Sequence, residues 1–488
     1  MSSSILKHMY NRRQFLEDSM LAATAAVAGG LVGRAAGAAP VGSSNERLSI
    51  GVIGTGIRGL VHARSFAARG DCDVVAICDA DIGRAERVAE AVGKSQGRKV
   101  PAVQDLRQII DDPSIDCVSI ATCNHWHALA AIWAMQAGKD VYVEKPVSHN
   151  ISEGRRMVQA ARKYGRICQV GTQYRSDGTC KAAARFIGEG KLGKVRLARS
   201  LTYKRRRSIG PAVEGKVPAG VDYNLWAGPA PMSPITRRNF HYDWHWFWET
   251  GNGDLGNSDV HRADLVRFGL GVEKLPVAVM CYGGRVGYED AAETPNTQVV
   301  VHDYGDVTVV QEVRGLESSR FRIPAGAVFT GSEGHVGMTA GSSAFFDPSG
   351  QLIEKLPGEP EDHFGNFIEG VRSRDRSHLN AEILGGHLSA GLCHLGNISY
   401  CLGEEASAKE ILAELESRKL RDDWGDTFER TRAHLAENGV DIEKTRLTLG
   451  PWLEFDPDKE RFKGNEGANG MLTRDYRAPF IVPKEEEV

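Results

Sequence analysis

The sequence predicts an α/β fold that opens with a doubly wound parallel sheet, and three observations carry that prediction. The apolar run Ser49–Ile53 passes directly into Gly54-x-Gly56-x-x-Gly59 and then into a helical pattern. A second apolar run, Val74–Cys78, ends on Asp79. Strand and helix patterns then alternate to about residue 170, which gives parallel strands with helices on both faces.

Each part of the first stretch has a physical role. Gly54 permits a tight turn, Gly56 lets the backbone approach a pyrophosphate, and Gly59 lets the helix lie close on its strand. Ile57 and Arg58 open that helix, whose unpaired N–H groups and partial positive charge suit phosphates. Asp79 can accept from both ribose hydroxyls and would repel a 2′-phosphate, so NAD is the expected cofactor.

In chain order, strands near 49–53, 73–78, 117–121 and 140–143 alternate with helices near 57–69, 82–92, 104–111, 124–137 and 151–164. Farther on, Gln298–His302 and Val307–Val313 read as two strands round Tyr304-Gly305-Asp306, and a meander follows through residue 353. Helices return at 361–373, at 380–402 and from 407 onward. The Pro-, Gly- and charge-rich tail reads as an extended surface arm. The resulting division is a signal at 1–38, a dinucleotide domain at 46–170, a substrate domain at 171–450 and the arm at 451–488.

A chain of 488 residues is long enough for two domains plus appendages. A net charge of -3 with interspersed signs argues against nucleic acid or an anionic membrane as the main partner. The short basic run Lys204–Arg207 reads as a solvated loop. Nine cysteines without a Cys-x-x-Cys argue against a zinc ribbon or thioredoxin-like site, and no metal is expected. Cys78, Cys117 and Cys281 sit in apolar runs as small hydrophobes. At the N-terminus, Arg12-Arg13, an Ala/Gly-rich apolar run and Ala36-Gly37-Ala38 resemble a twin-arginine export signal. Cleavage near Ala38, a periplasmic location and no stable membrane span are the expectations.

Two strand ends carry reactive side chains. One is Thr122-Cys123-Asn124-His125-Trp126-His127; the other is Glu144-Lys145-Pro146, where the proline keeps Lys145 out of the helical region. With Gly171-x-Gln173-Tyr174-Arg175 and Asp259-x-His261-x-x-Asp264, these motifs make the chain resemble the Gfo/Idh/MocA family of oxidoreductases. The resemblance implies a Rossmann domain followed by an α+β domain whose large, mostly antiparallel sheet faces the nicotinamide. It implies a sugar or cyclitol substrate, and a homo-oligomer through the C-terminal sheet is expected. Thr122, Asn124, His127, Glu144 and Lys145 join Gly54, Gly56, Ile57, Arg58, Gly59 and Asp79 as cofactor residues. The resemblance further implies that Lys145 contacts substrate and aids proton transfer, that His261 is the acid/base, and that Tyr174 and Arg175 line the pocket.

At one place the chain departs from the family. Asn257 stands where inositol-dehydrogenase-like members carry Asp, one turn before His261, and Asn cannot act as a base. It remains able to cap the following helix or to orient a hydroxyl. The run His241–Glu249 holds Trp244, His245 and Trp246; if extended, its tryptophans share one face for stacking on a sugar, with core packing as the alternative. His387 and His394 read as helix packing residues. The expected activity is NAD-dependent hydride transfer to or from a ring carbon of a sugar or cyclitol, with a retained and recycled cofactor. The alternatives are a redox-neutral, NAD-dependent glycosidase and a non-catalytic sugar or NAD sensor.

Overall fold

The computed structural model describes residues 47–318, 326–418, 420–422 and 424–488, so the expected export signal lies outside the described residues. The first half alternates β1 (Leu48–Ile53), α1 (Ile57–Ala67), β2 (Cys72–Cys78), α2 (Ile82–Gln96), β3 (Ala102–Val103) and α3 (Arg107–Ile110). It continues with β4 (Cys117–Ile120), α4 (Asn124–Gln136), β5 (Asp140–Val143), α5 (Ile151–Lys163) and β6 (Cys168–Val170). These strands form a six-stranded parallel sheet in the order β3-β2-β1-β4-β5-β6. Their apolar side chains are buried because helices cover both faces. The direction of winding reverses between β1 and β4, which opens a crevice at the strands' carboxyl ends.

The second half adds α6 (Gly178–Gly188), β7 (Leu197–Tyr203), α7 (Tyr223–Ala227) and α8 (Val260–Leu270). Strands β8 (Ala278–Gly284), β9 (Thr297–Asp303), β10 (Thr308–Arg314), β11 (Ala327–Gly331), β12 (Gly334–Met338), β13 (Ala344–Phe346) and β14 (Leu352–Lys355) follow. Helices α9 (His363–Ser373) and α10 (Ile383–Cys401), strand β15 (Glu404–Ala406), α11 (Ala408–Ser417), α12 (Trp424–Glu437) and β16 (Leu447–Leu449) lead to the tail. The large sheet runs β14-β13-β12-β11-β7-β10-β9-β8-β16-β15 and is antiparallel except where β7 lies parallel to β10. One face packs on α8 and α10 through residues such as Leu255, Val300, Leu392 and Leu395. The other packs on α11 and α12 through Tyr282, Val301, Ile411 and Phe428.

Two sequence boundaries change. Helix α9, expected in the substrate domain, returns to the Rossmann sheet: Phe364 and Phe367 lie against Phe66 and Tyr142. The tail is not merely a surface arm. Residues Leu453–Asp456 (β17) pair with β8, Arg461–Phe462 (β18) pair with β17, and Phe480 is 1% exposed beside Trp126 and Trp133 of α4. Aromatic residues supplied this anchoring inside an otherwise polar composition. Among the described residues no helix is long and apolar enough to cross a membrane, and Cys78, Cys117 and Cys281 are buried free thiols.

Candidate active site

The turn after β1 has the geometry a dinucleotide needs. Gly54 has φ +88°, and a Cβ there would meet the Ala121 and Thr122 backbone at 2.6–2.7 Å. A Cβ on Gly59 would lie 1.8 Å from the Gly54 carbonyl oxygen, so α1 can approach β1 only with glycine present. Gly56, by contrast, faces open space and is the N-cap of α1, with no side chain bonding the helix's first N–H groups. This open cradle at a helix N-terminus fits a pyrophosphate. Asp79, at the end of β2, accepts from the Thr55 amide at 2.7 Å, the Thr55 hydroxyl at 2.6 Å and the Asp81 amide at 2.9 Å. Those bonds fix a carboxylate that still has acceptor capacity for a ribose.

Several expected cofactor residues also hold the crevice in shape. Glu144 is buried, accepting from Arg58 Nε at 2.8 Å and His62 Nε2 at 3.0 Å. Burial would raise its pKa, but Arg58 and His62 hold it well below the carboxylate range. Arg58 is thus committed in part to Glu144, while Ile57 is exposed at the start of α1. His127 Nδ1 donates to the Pro146 carbonyl at 2.6 Å, and its Nε2 lies 3.1 Å from the Thr122 carbonyl. It therefore ties the end of β4 to the Lys145–Pro146 segment. Asn124 donates at 2.9 Å to Asn252, linking α4 to the second half. Thr122 stays partly exposed at the β4 end.

Lys145 leaves the end of β5 and donates through Nζ to the Asn257 carbonyl at 2.7 Å, with Asn257 Oδ1 at 3.4 Å. Burial lowers its pKa to about 8, against the opposing pull of Glu144. Asn257 does not cap α8. It sits within a π-helical turn, Leu255–Asp259, that runs continuously into that helix. His261 follows on the first turn of α8, its ring centroid 5.2 Å from that of Tyr174. Burial pushes the His261 pKa well below its usual value, and the charges of Lys145 and Arg262 push the same way. Its Nδ1 is buried with no hydrogen-bond partner. A neutral imidazole is therefore poised beside a lysine, with Tyr174 as a wall.

Other candidates make their visible contacts within the protein. Arg175 forms a two-pronged ion pair with Asp264 at 2.8–3.0 Å and lies 4.8 Å over the Phe268 ring. Asp259 turns from His261 and accepts from Ser200, Thr202 and Gln311. The segment 243–246 is a 3-10 turn rather than a strand, so the tryptophans do not share a face. Trp244 and Trp246 are buried, whereas His245 stacks on Trp244 at 3.6 Å and donates through Nδ1 to the Tyr242 carbonyl. Burial lowers the His245 pKa to about 3, with Lys145 among the charges acting on it. His387 bonds Glu460 and His394 bonds Ser148.

The basic run is a loop with Lys204, Arg205 and Arg207 exposed, as expected, but its third residue is drawn inward. Arg206 is half-buried, paired with Asp254 at 2.8 Å, bonded to Ser258 Oγ at 3.0 Å and set 4.9 Å over the Trp246 ring. Nothing in its local sequence separates it from Arg205 and Arg207; its partners lie some 50 residues farther on. Asn252 was also missed, and its only signal was the glycine-rich stretch around it.

Comparison with known proteins agrees with this geometry. Residues 48–172 match the profile of the oxidoreductase family with an NAD-binding Rossmann fold, and residues 209–423 match that family's C-terminal alpha/beta domain. The chain belongs to the Gfo/Idh/MocA family. It is 32% identical over 236 residues to levoglucosan dehydrogenase of Pseudarthrobacter phenanthrenivorans, covering 46% of this chain and 52% of that protein. It is 33% identical over 144 residues to scyllo-inositol 2-dehydrogenase (NAD(+)) of Bacillus subtilis, covering 29% and 41%. It is 32% identical over 186 residues to alpha-N-acetylgalactosaminidase of Shewanella oneidensis, covering 33% and 39%. The chain thus spans about half or less of the length of these curated relatives. Among solved structures, levoglucosan dehydrogenase with NADH superposes at TM-score 0.53 and 20% identity, covering 72% of this chain and 96% of that one. The WlbA dehydrogenase of Bordetella pertussis gives 0.53 and 20%, covering 72% and 95%. These likenesses establish the fold.

Proposed function

We propose that the protein is an NAD-dependent oxidoreductase that moves hydride to or from a hydroxyl-bearing ring carbon of a sugar or cyclitol. The observation that carries this reading is the meeting of Lys145 and His261 at the carboxyl edge of the Rossmann sheet, joined by the Lys145–Asn257 bond. Bound NAD supplies the hydride acceptor. His261, neutral at pH 7, receives the hydroxyl proton; Lys145, still mostly protonated there, stabilises charge developing on the oxygen. Asn257 orients the lysine and, unlike Asp, adds no competing base. The relatives named as dehydrogenases of levoglucosan and scyllo-inositol support a cyclic polyol class.

Cofactor retention is part of the same proposal. The long connection between β7 and α8 bonds to the turn that carries Asp79: Asp222 N to Ala80 O at 2.8 Å, Ile82 N to Gly220 O at 3.2 Å, and His241 to Asp81 at 3.1 Å. A dinucleotide lying along that turn would be covered at its adenosine end. Retention suits a protein exported folded by the twin-arginine route, where free NAD is scarce. The relative named as an alpha-N-acetylgalactosaminidase supports a second reading, in which hydride leaves and returns to one substrate around a glycosidic elimination. The test is to purify the protein without added NAD, measure borohydride-reducible nicotinamide after gel filtration, and then screen free sugars, cyclitols and aryl glycosides. Retained cofactor reduced by a free polyol supports the first reading; aryl release without net reduction supports the second; no reaction with either class overturns both.

A further inference from the structure

Three cations from three parts of the chain bond to the π-helical turn before His261, and a fourth, Lys204, stands two residues from one of them. Lys145 reaches the Asn257 carbonyl, Arg206 reaches Ser258 Oγ at 3.0 Å, and Arg262 Nη1 reaches the Ser258 carbonyl at 3.0 Å. Lys204 is the first residue beyond β7, positioned by its own amide on the Arg314 carbonyl at 3.0 Å, and its side chain is exposed.

The neighbouring carboxylates are already committed. Asp254 belongs to Arg206, Glu144 to Arg58 and His62, and Glu312 to Arg199, Arg314 and Arg430. Asp259 is buried on the far side of the turn among Ser200, Thr202 and Gln311. Among the described residues, Lys145, Lys204 and Arg262 have no carboxylate within ion-pair distance. The crowding is felt electrostatically: besides burial, Arg206 and Arg262 lower the Lys204 pKa, and Lys204 and Arg206 lower that of Lys145. A neutral polyol would leave this surplus of like charge uncompensated. A pyrophosphate does not explain it either, because the open cradle at Gly56 lies on the Rossmann side, with Arg58 in the first turn of α1.

We propose that the substrate ring carries an anionic group, a carboxylate or a phosphate, held by Lys204 and Arg262 beside the Lys145–His261 pair. This rests on the sugar-oxidoreductase reading above and narrows its substrate class. Arginine offers a planar fork for two oxygens and Lys204 a mobile point charge, a combination suited to an anion on a flexible or variable ring. Lys145 is left to the reacting hydroxyl.

Two measurements test the idea separately from the reaction. Calorimetric binding of glucuronate, glucose 6-phosphate and glucose to the NAD-loaded protein reads the anion site without requiring turnover. One or both anions are expected to bind at least about tenfold more tightly than glucose, the scale of one charge-assisted hydrogen bond. Which anion wins distinguishes carboxylate from phosphate. Lys204→Gln and Arg262→Gln should each reduce that preference, and in turnover assays should raise KM for the anionic sugar more than for its neutral parent. Equal binding of glucose and both anions, or variants that weaken all three alike, would overturn the inference. Selective anion binding with no hydride transfer to any sugar would uphold it and overturn the oxidoreductase reading instead.

Discussion

Lys145 Nζ lies 2.7 Å from the main-chain carbonyl of Asn257, so the end of a Rossmann strand is bonded directly to the turn that presents His261. The bond reaches a carbonyl within the π-helical turn Leu255–Asp259, which runs on into α8. It also fixes a long side chain that would otherwise lose much of its order to rotamer freedom.

The fingerprint turn has no room for a methyl group at Gly59. Gly59→Ala should lower stability by about 1–3 kcal/mol and abolish NAD retention, since relief of the clash displaces α1 from the Gly54 turn. Thermal unfolding and nicotinamide content after gel filtration check this. Gly56→Ala, which meets nothing within 4 Å, should instead spare stability and weaken cofactor binding alone.

Asp79 is held at the end of β2 by the Thr55 amide and hydroxyl and the Asp81 amide. NAD should therefore bind better than NADP, and Asp79→Ser should narrow the difference. Fluorescence titration of cofactor-stripped protein measures both; a wild-type preference for NADP would contradict the assignment.

The tail anchors the cofactor-side helix. Phe480 fills the space beside Trp126 and Trp133, so Phe480→Ala should cost about 3–5 kcal/mol and be visible in denaturant midpoints. Because Trp126 follows Asn124 by two residues, cofactor retention should fall as well.

Lys145 holds its position at a cost in stability. Its pKa is about 8 in the folded protein against 10.5 for an unburied lysine. Below about pH 8 the ammonium is charged in both states and folding bears the full desolvation cost; between those values the unfolded chain binds more protons, so stability rises with pH. Lys145→Met should thus be more stable than wild type by about 1–3 kcal/mol at pH 7, with the gain fading as the pH approaches 10.5. Chemical denaturation at several pH values checks the sign.

Much of this architecture was legible because it depends on local signals. Gly54, Gly59 and the apolar runs report their own backbone constraints, and the Gfo/Idh/MocA motifs locate Lys145 and His261. What local reading missed are partnerships across the chain. Arg206 is set apart from Arg205 by Asp254, Ser258, Tyr242 and Trp246; Arg175 is paired with Asp264; the tail is drawn inward by Phe480 finding two tryptophans of α4. The aromatic run failed as a strand because a 3-10 turn lets His245 stack on Trp244, a contact that alternation forbids. Asn257 failed as a cap because the helix begins earlier, in a wider turn.

The division of labour between Lys145 and His261 is tested most directly by the pH dependence of kcat/KM for sugar oxidation by the NAD-loaded protein. His261 is deprotonated well below neutrality and Lys145 loses its charge near pH 8, so the profile should be level through neutral pH and fall as pH rises through about 8. His261→Gln should lower the rate about 10²–10⁴-fold with cofactor still bound, and Lys145→Gln should lower it while removing the alkaline fall. A wild-type rate that climbs steadily through pH 8, or a His261→Gln enzyme that retains the wild-type rate, would contradict the account.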